Sequence, residues 1–416
     1  MPALPLSTPP SSSRLARNIH SLVLETYQKL PSKCKPQLPH QWTVLSSIIL
    51  RLPSSSASPD SEKDILECAS LATGTRALPA NLLPQAQGVV LHDCHAEILA
   101  VRGWNRFLLG ECRRLVETGS SRILEHVSDE ANRGLGRKVR IKENIELWLF
   151  TSAAPCGDAS MDLQVRLSTT GGEAWTSQPD TAPGEPLRGH AHYSHLGYVR
   201  LKPGRSDSLP SNSRCCSDKL CVRQLLGSLL AVTEVVIGKG TDGQGYLRGI
   251  VTPNSEYIDE GWQRAFYARV DDMAKDATIE DKENDGGYNF RPVSFEVCDE
   301  LPAPLVRPSP EGNTGGQIKP APVSAVFIPN CYPAAITETL VNGVKQGHKR
   351  FGGTGASCLS KLSIWGEALD IARLLDDEEG HKQLQEGGYD SKSLPRLEGR
   401  IQAKDIMKKS LKNWGT

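Results

Sequence analysis

The 416 residues contain no run of 18 apolar side chains, which excludes a membrane-spanning helix. Neither sign of charge is in excess. The 48 Lys and Arg balance 48 Asp and Glu, so a uniformly basic coat for nucleic acid is excluded, while a local basic patch is not. The N-terminus lacks the apolar core of a secretory signal, because Pro and Ser interrupt it. It carries no acid before Glu25 and holds Arg14 and Arg17, a faint likeness to a transit peptide. The simpler reading is a short disordered tail over 1–16. The eleven cysteines are odd in number and irregular in spacing, with no secretory signal before them. They point to a reducing, intracellular setting, nuclear and/or cytoplasmic, where some cysteines bind metal and the rest pack. What is present suits a folded core: 38% apolar and 23% charged residues.

Helical spacing runs through Ile19, Leu22, Val23 and Tyr27 and stops at Pro31. Residues 42–51 and 66–71 read as strands, separated by a Ser/Pro loop at 53–62. The run Val89 to Cys94 enters a helical pattern at His95-Ala96-Glu97. The apolar strand 145–151 leads into Pro155-Cys156-Gly157. A strand feeding a helix, twice, is α/β layering. Helices are expected from Ser217 to Leu229 and over 357–376. Residues 167–214 are rich in Gly, Pro, Ser and His and read as a long surface insertion. Residues 271–285 hold seven acids against two lysines, and 301–323 hold six prolines and three glycines. On that composition 270–323 reads as a second, exposed insertion.

The chemistry lies in three short motifs. His-x-Glu followed by Pro-Cys is the signature of zinc deaminases, here His95-Ala96-Glu97 and Pro155-Cys156. The imidazole ligates, and two positions on, at a helix start, a carboxylate reaches the open coordination position to move protons. Pro-Cys at the start of a second helix supplies a thiolate that the helix N-terminus favours. The usual second cysteine three residues later is missing, since position 159 is Ala159. The best source of a third ligand is Cys215-Cys216-Ser217-Asp218-Lys219. Buried, inert thiols are the alternative reading of these cysteines.

Such a split set resembles the adenosine-to-inosine deaminase domain of the RNA-editing and tRNA-editing enzymes. The likeness also includes Val23 to Tyr27 with Leu30-Pro31, Thr73-Gly74-Thr75-Arg76, and Gly355-Ala356-Ser357 to Lys361, and so runs over nearly the whole chain. It implies an α/β fold, a zinc-dependent deaminase-like three-layer α/β/α core with large insertions, over 17–416. It implies Zn²⁺ on His95, Cys156 and Cys216, with Cys215 the nearest rival, and Glu97 as the catalytic proton carrier. Thr75 and Arg76 would then bind substrate. From Arg188 to Lys219 the chain carries six Lys and Arg against two acids, among them Arg200, Lys202, Arg205 and Arg214, which would track a phosphate backbone. The messenger-editing branch carries double-stranded-RNA-binding domains before the deaminase. Here the pattern starts by about residue 19, which favours the tRNA branch, whose target is adenosine 37 of alanine tRNA. No obligate protein partner and no membrane are expected. A catalytically silent RNA-binding relative, an adenosine deaminase acting on other RNA, and a deaminase of free nucleosides or of cytidine remain alternatives. The intact Glu97 speaks against the first, and the length and basic insertion against the last.

Arg400, Lys404, Lys408 and Lys412 recur every four residues, one cationic stripe on a helix. Like charges at that spacing cost about 0.2–0.5 kcal/mol per pair unless an anion faces them. The resembled family buries inositol hexakisphosphate. The matching positions are Arg102, Lys219, Arg223, Lys361, Lys404 and Trp414, with Lys392 and Lys408 as further candidates. Val101 and Arg400 depart from the family pattern, and the chain ends two residues after Trp414.

Overall fold

The computed structural model describes residues 12–52, 65–127, 136–167, 184–189, 195–202, 208–240, 243–281, 284–308, 318–390 and 392–415. Eight strands build the central sheet. In chain order they are β1 (Leu45–Leu52), β2 (Ile65–Thr73), β3 (Glu146–Thr151), β4 (Leu247–Pro253), β5 (Ser294–Cys298), β6 (Val323–Ile328), β7 (Ile336–Val341) and β8 (Val344–Lys345). Across the sheet the order is β5-β4-β3-β1-β2-β6-β7-β8. β5, β4 and β3 run parallel, and every other neighbouring pair is antiparallel.

Apolar residues line both faces of β1, which explains why Ile48, Ile49 and Leu50 are apolar in succession. One cluster joins Leu45, Ile49 and Phe150 to Ile19 and Val23 of α1 (Arg14–Gln28). The other joins Ile48, Leu50 and Leu149 to Leu99, Trp104 and Phe107 of α2 (Ala96–Thr118). The helix α1 starts where the Ser13 hydroxyl accepts the Ala16 N–H at 3.0 Å. Arg14 to Ala16, placed in the tail by composition, are therefore helical. Residues 1–11 of that tail and the Ser/Pro loop lie outside the described residues.

Further helices fall where the periodicity put them: α3 (Cys216–Leu226), α4 (Lys361–Leu374) and α5 (Glu398–Ser410). The reading of 270–323 as an exposed insertion is overturned. Its strand β5 forms one edge of the main sheet, and Val270, Ala274, Ile279 and Tyr288 are buried in the larger core. The acids that suggested exposure sit between these buried positions, and the prolines of 301–323 follow β5 in the chain. Composition averages over a segment, whereas burial is decided side chain by side chain.

Candidate metal centre and its cationic cavity

His95 ends the short strand Asp93–His95 and caps α2. That strand pairs antiparallel with Thr75–Ala77, so Thr75 sits directly opposite His95 and Arg76 opposite Cys94. The approach is close enough that Gly74, at φ +146°, has no room for a side chain. A Cβ there would lie 2.2 Å from the Cys94 carbonyl oxygen. The Thr75 hydroxyl oxygen is buried, and the Arg76 side chain is exposed.

Cys156 lies in the turn after β3, not at a helix start as expected. A single 3₁₀ turn, Asp158–Ser160, separates it from the helix Met161–Leu167. Its thiol is held well below the ordinary range instead by hydrogen bonds from Cys215 and Cys216. The Cys216 N–H lies 3.2 Å from Cys156 Sγ, and Cys216 itself opens α3. This contact needs Gly157 at φ +100°, since a Cβ there would meet Ser217 Oγ at 2.5 Å and Cys215 Cβ at 2.6 Å.

Three segments thus converge. His95 Nδ1 lies 3.7 Å from Cys156 Sγ and 3.6 Å from Cys216 Sγ. Tetrahedral zinc with bonds of about 2.0 and 2.3 Å separates nitrogen from sulfur by about 3.5 Å, so this donor set fits the ion. Cys215 is outside the group of converging ligand atoms. Glu97, in the first turn of α2, is buried, and its Oε2 has no hydrogen-bond partner among the described residues. Burial pushes its carboxyl pKa up.

Beneath the cluster lies a charged group that the sequence reading did not assign. Asp93 accepts from Lys202 Nζ at 2.8 and 2.7 Å, from Ser213 Oγ at 3.0 Å, and from Lys219. Burial opposes its ionisation, but Lys202 and Lys219 hold its carboxyl far below the usual range. Lys202 also reaches Cys216 Sγ at 3.3 Å. This corrects the reading of Arg200 and Lys202 as part of an RNA-facing surface. Their side chains are 0% and 1% exposed, and Lys202 neutralises a carboxylate 109 residues away. Arg214 is half-buried over the Trp414 ring, 4.4 Å from its centroid. Arg205 lies outside the described residues.

A cavity of about 830 Å³ adjoins this group, with Asp93 and Lys219 in its wall. All six positions implied by the resemblance line it: Arg102, Lys219, Arg223, Lys361, Lys404 and Trp414. Lys392 and Lys408 join them, as do Arg214 and Arg400. Asp93 is the one carboxylate among the described lining residues. The crowding acts on the cations themselves. Burial first, then Arg400 and Arg102, bring Arg223 down to about 9, and burial brings Arg102 down to about 10. Lys412, the fourth residue of the stripe, lies beyond the end of α5 and outside this lining, with its ammonium 5.9 Å from the Tyr198 ring centroid. Arg400 is partly engaged by the buried Glu234.

An imidazole and two thiols placed where they could hold one ion, with a buried carboxylate beside them, make the site of a hydrolytic deaminase. Comparison with known proteins agrees. The model of the adenosine-deaminase (editase) domain matches residues 70–414, and the chain belongs to that family. Among curated relatives, it is 29% identical to the tRNA-specific adenosine deaminase 1 of Schizosaccharomyces pombe, over 97% of this chain and 95% of the relative. The enzyme of the same name from Saccharomyces cerevisiae is 33% identical over 64% of this chain and 66% of its own length. The mouse double-stranded RNA-specific adenosine deaminase is 31% identical over 38% of this chain and 12% of its own.

Proposed function

We propose that this protein converts adenosine to inosine in tRNA by hydrolytic deamination. The observation that carries the reading is the convergence of His95, Cys156 and Cys216 beside Glu97, in a chain that matches a tRNA-specific deaminase over almost its full length. The helices packed on both faces of the sheet support the three-layer deaminase-like core.

His95, Cys156 and Cys216 would hold Zn²⁺, which when bound acts as a Lewis acid that lowers the pKa of water towards neutrality. The chain's own residues do the rest. Glu97 takes a proton from water as the water oxygen adds to C6 of the adenine, delivers it to N1, then takes the proton of the new C6 hydroxyl and passes it to the exocyclic amine as the C6–N bond breaks. Ammonia leaves and inosine remains. Burial suits Glu97 to this work, because a carboxyl whose pKa is raised gives and takes protons near neutral pH. Lys202 places a positive charge against the Cys216 thiolate. A stacked base cannot reach this site, so the target adenosine is unpaired or extruded, with Thr75 and Arg76 at the entrance.

The test is direct. Pure protein incubated with alanine tRNA transcript, free adenosine and free cytidine is expected to form inosine in the transcript alone. Turnover of adenosine or cytidine instead would overturn the polymer substrate, and turnover of none would favour the silent RNA-binding alternative.

We further assign the cationic cavity to inositol hexakisphosphate. Its walls gather nine Lys and Arg against Asp93, a concentration that a polyanion neutralises. Mass spectrometry of the denatured protein is expected to release an inositol polyphosphate. Charge-reversing Arg223 to Glu should abolish both its recovery and soluble expression. Its absence from the wild type would remove this assignment.

A further inference from the structure

Each thiol of the candidate metal centre is followed two residues later by a buried carboxylate. Asp158 follows Cys156 and Asp218 follows Cys216, and both are 0% exposed. Neither is among the converging ligand atoms. The two grip one short piece of backbone instead. The Gly197 N–H donates to Asp158 Oδ1 at 2.7 Å, and the Arg200 N–H donates to Asp218 Oδ2 at 3.0 Å.

The other oxygen of each carboxylate takes an arginine, and both arginines come from one stretch of chain. Arg264 opens the π-helical turn Arg264–Ala268 and donates through Nε to Asp158 Oδ2 at 3.0 Å. Arg269 follows that turn and donates through Nη1 to Asp218 Oδ1 at 2.6 Å. The second pair is almost wholly dry, at 2% and 0% side-chain exposure. An unpaired carboxylate at such depth would cost several kcal/mol or take up a proton. Each arginine therefore pairs one oxygen of its aspartate and leaves the other to hold backbone.

Segment 197–200, pinned at two points, leads two residues on to Lys202, which donates to Asp93 and Cys216 Sγ. Arg200 opens the short strand Arg200–Leu201 and Lys202 follows it directly, so fixing the Arg200 backbone also places Lys202. The cysteine turns thus hold the segment whose lysine returns to the cysteine.

We propose that the pairs Asp158–Arg264 and Asp218–Arg269 form a double clamp that seats Lys202 against Cys216, making these four side chains positioning residues for deamination. The proposal rests on the deaminase reading of the site. Groups that orient a metal ligand typically change metal affinity or activity by about 10–100-fold when removed. A clamp acting through Lys202 differs from general structural support in one respect: once Lys202 is gone, the clamp has nothing left to deliver.

The experiment is a double-mutant cycle on the full chain. The zinc-loaded wild type is compared with Arg269→Met, Lys202→Met and the double variant, with Arg269→Lys as the conservative control. Readouts are the rate of zinc loss to a chelator, kcat and KM on tRNA transcript, and the thermal midpoint. Arg269→Met is expected to speed zinc loss and lower kcat by about 10–100-fold with KM unchanged. Arg269→Lys should recover part of this, and the double variant should match Lys202→Met alone. Multiplying effects, or a lowered midpoint with normal zinc retention and kcat, would overturn the clamp. If Arg269→Met does not fold, Asp218→Asn keeps the shape and one acceptor and runs the same cycle. The chelator readout needs no RNA. A wrong substrate would therefore show as missing wild-type turnover with the zinc coupling intact.

Discussion

Glu97→Gln is expected to keep the metal and to lower inosine formation by about 10²–10⁴-fold, the usual worth of a positioned proton carrier. The amide has nearly the volume of the carboxyl it replaces, so the buried first turn of α2 repacks little. His95, Cys156 and Cys216 are untouched, and metal analysis of the purified variant should equal the wild type. What disappears is the group that both accepts and returns a proton. Single-turnover assays with excess enzyme separate this from weak binding, since the loss should persist at saturating enzyme. Inosine formation at the wild-type rate would remove Glu97 from the chemistry.

Asp93→Asn should have the largest effect on stability. The change leaves the Lys202 ammonium, 1% exposed, without the carboxylate it faces at 2.7 Å. Removing one partner of a buried ion pair costs about 3–5 kcal/mol, because the remaining charge stays desolvated. Lys219 and Ser213 lose the same acceptor. Denaturant titration should show the midpoint falling, with metal lost on purification. The double variant Asp93→Asn/Lys202→Met should recover part of the stability, since it removes the stranded charge. It should not recover activity, since Cys216 has then lost its cationic neighbour. A single Asp93→Asn variant as stable as the wild type would show that the lysines find another partner.

Much of the candidate site was legible before any fold was known. His95-Ala96-Glu97 sits at a strand–helix junction because a ligand and a proton carrier two residues apart need that geometry. Cys156 and Cys216 stood out by their neighbours, Pro155 and Gly157 on one side and Ser217 to Lys219 on the other. The Arg400, Lys404 and Lys408 stripe was visible as a period of four, and α5 turns it to the cavity. These signals share one property: each is local, carried within a single turn or helix.

What escaped was everything that depended on distance. Lys202, Arg200 and Arg269 resemble ordinary surface cations in composition, and nothing adjacent to them marks a buried partner. Asp93 was quoted within its motif but had no role until Lys202 and Lys219 arrived from more than 100 residues away. The segment 270–323 looked exposed because its acids and prolines outnumber its core residues, although β5 completes the sheet. The sequence by itself determined the helices α1 to α5, three of the eight sheet strands, and His95, Glu97 and Cys156 of the chemical centre, since short-range spacing encodes them, while Cys216 was preferred to Cys215 by the resemblance. Tertiary structure alone decided which charges are buried. That follows from electrostatics: a charge can leave water only where folding brings its counter-charge, and that partner is set by the path of the whole chain.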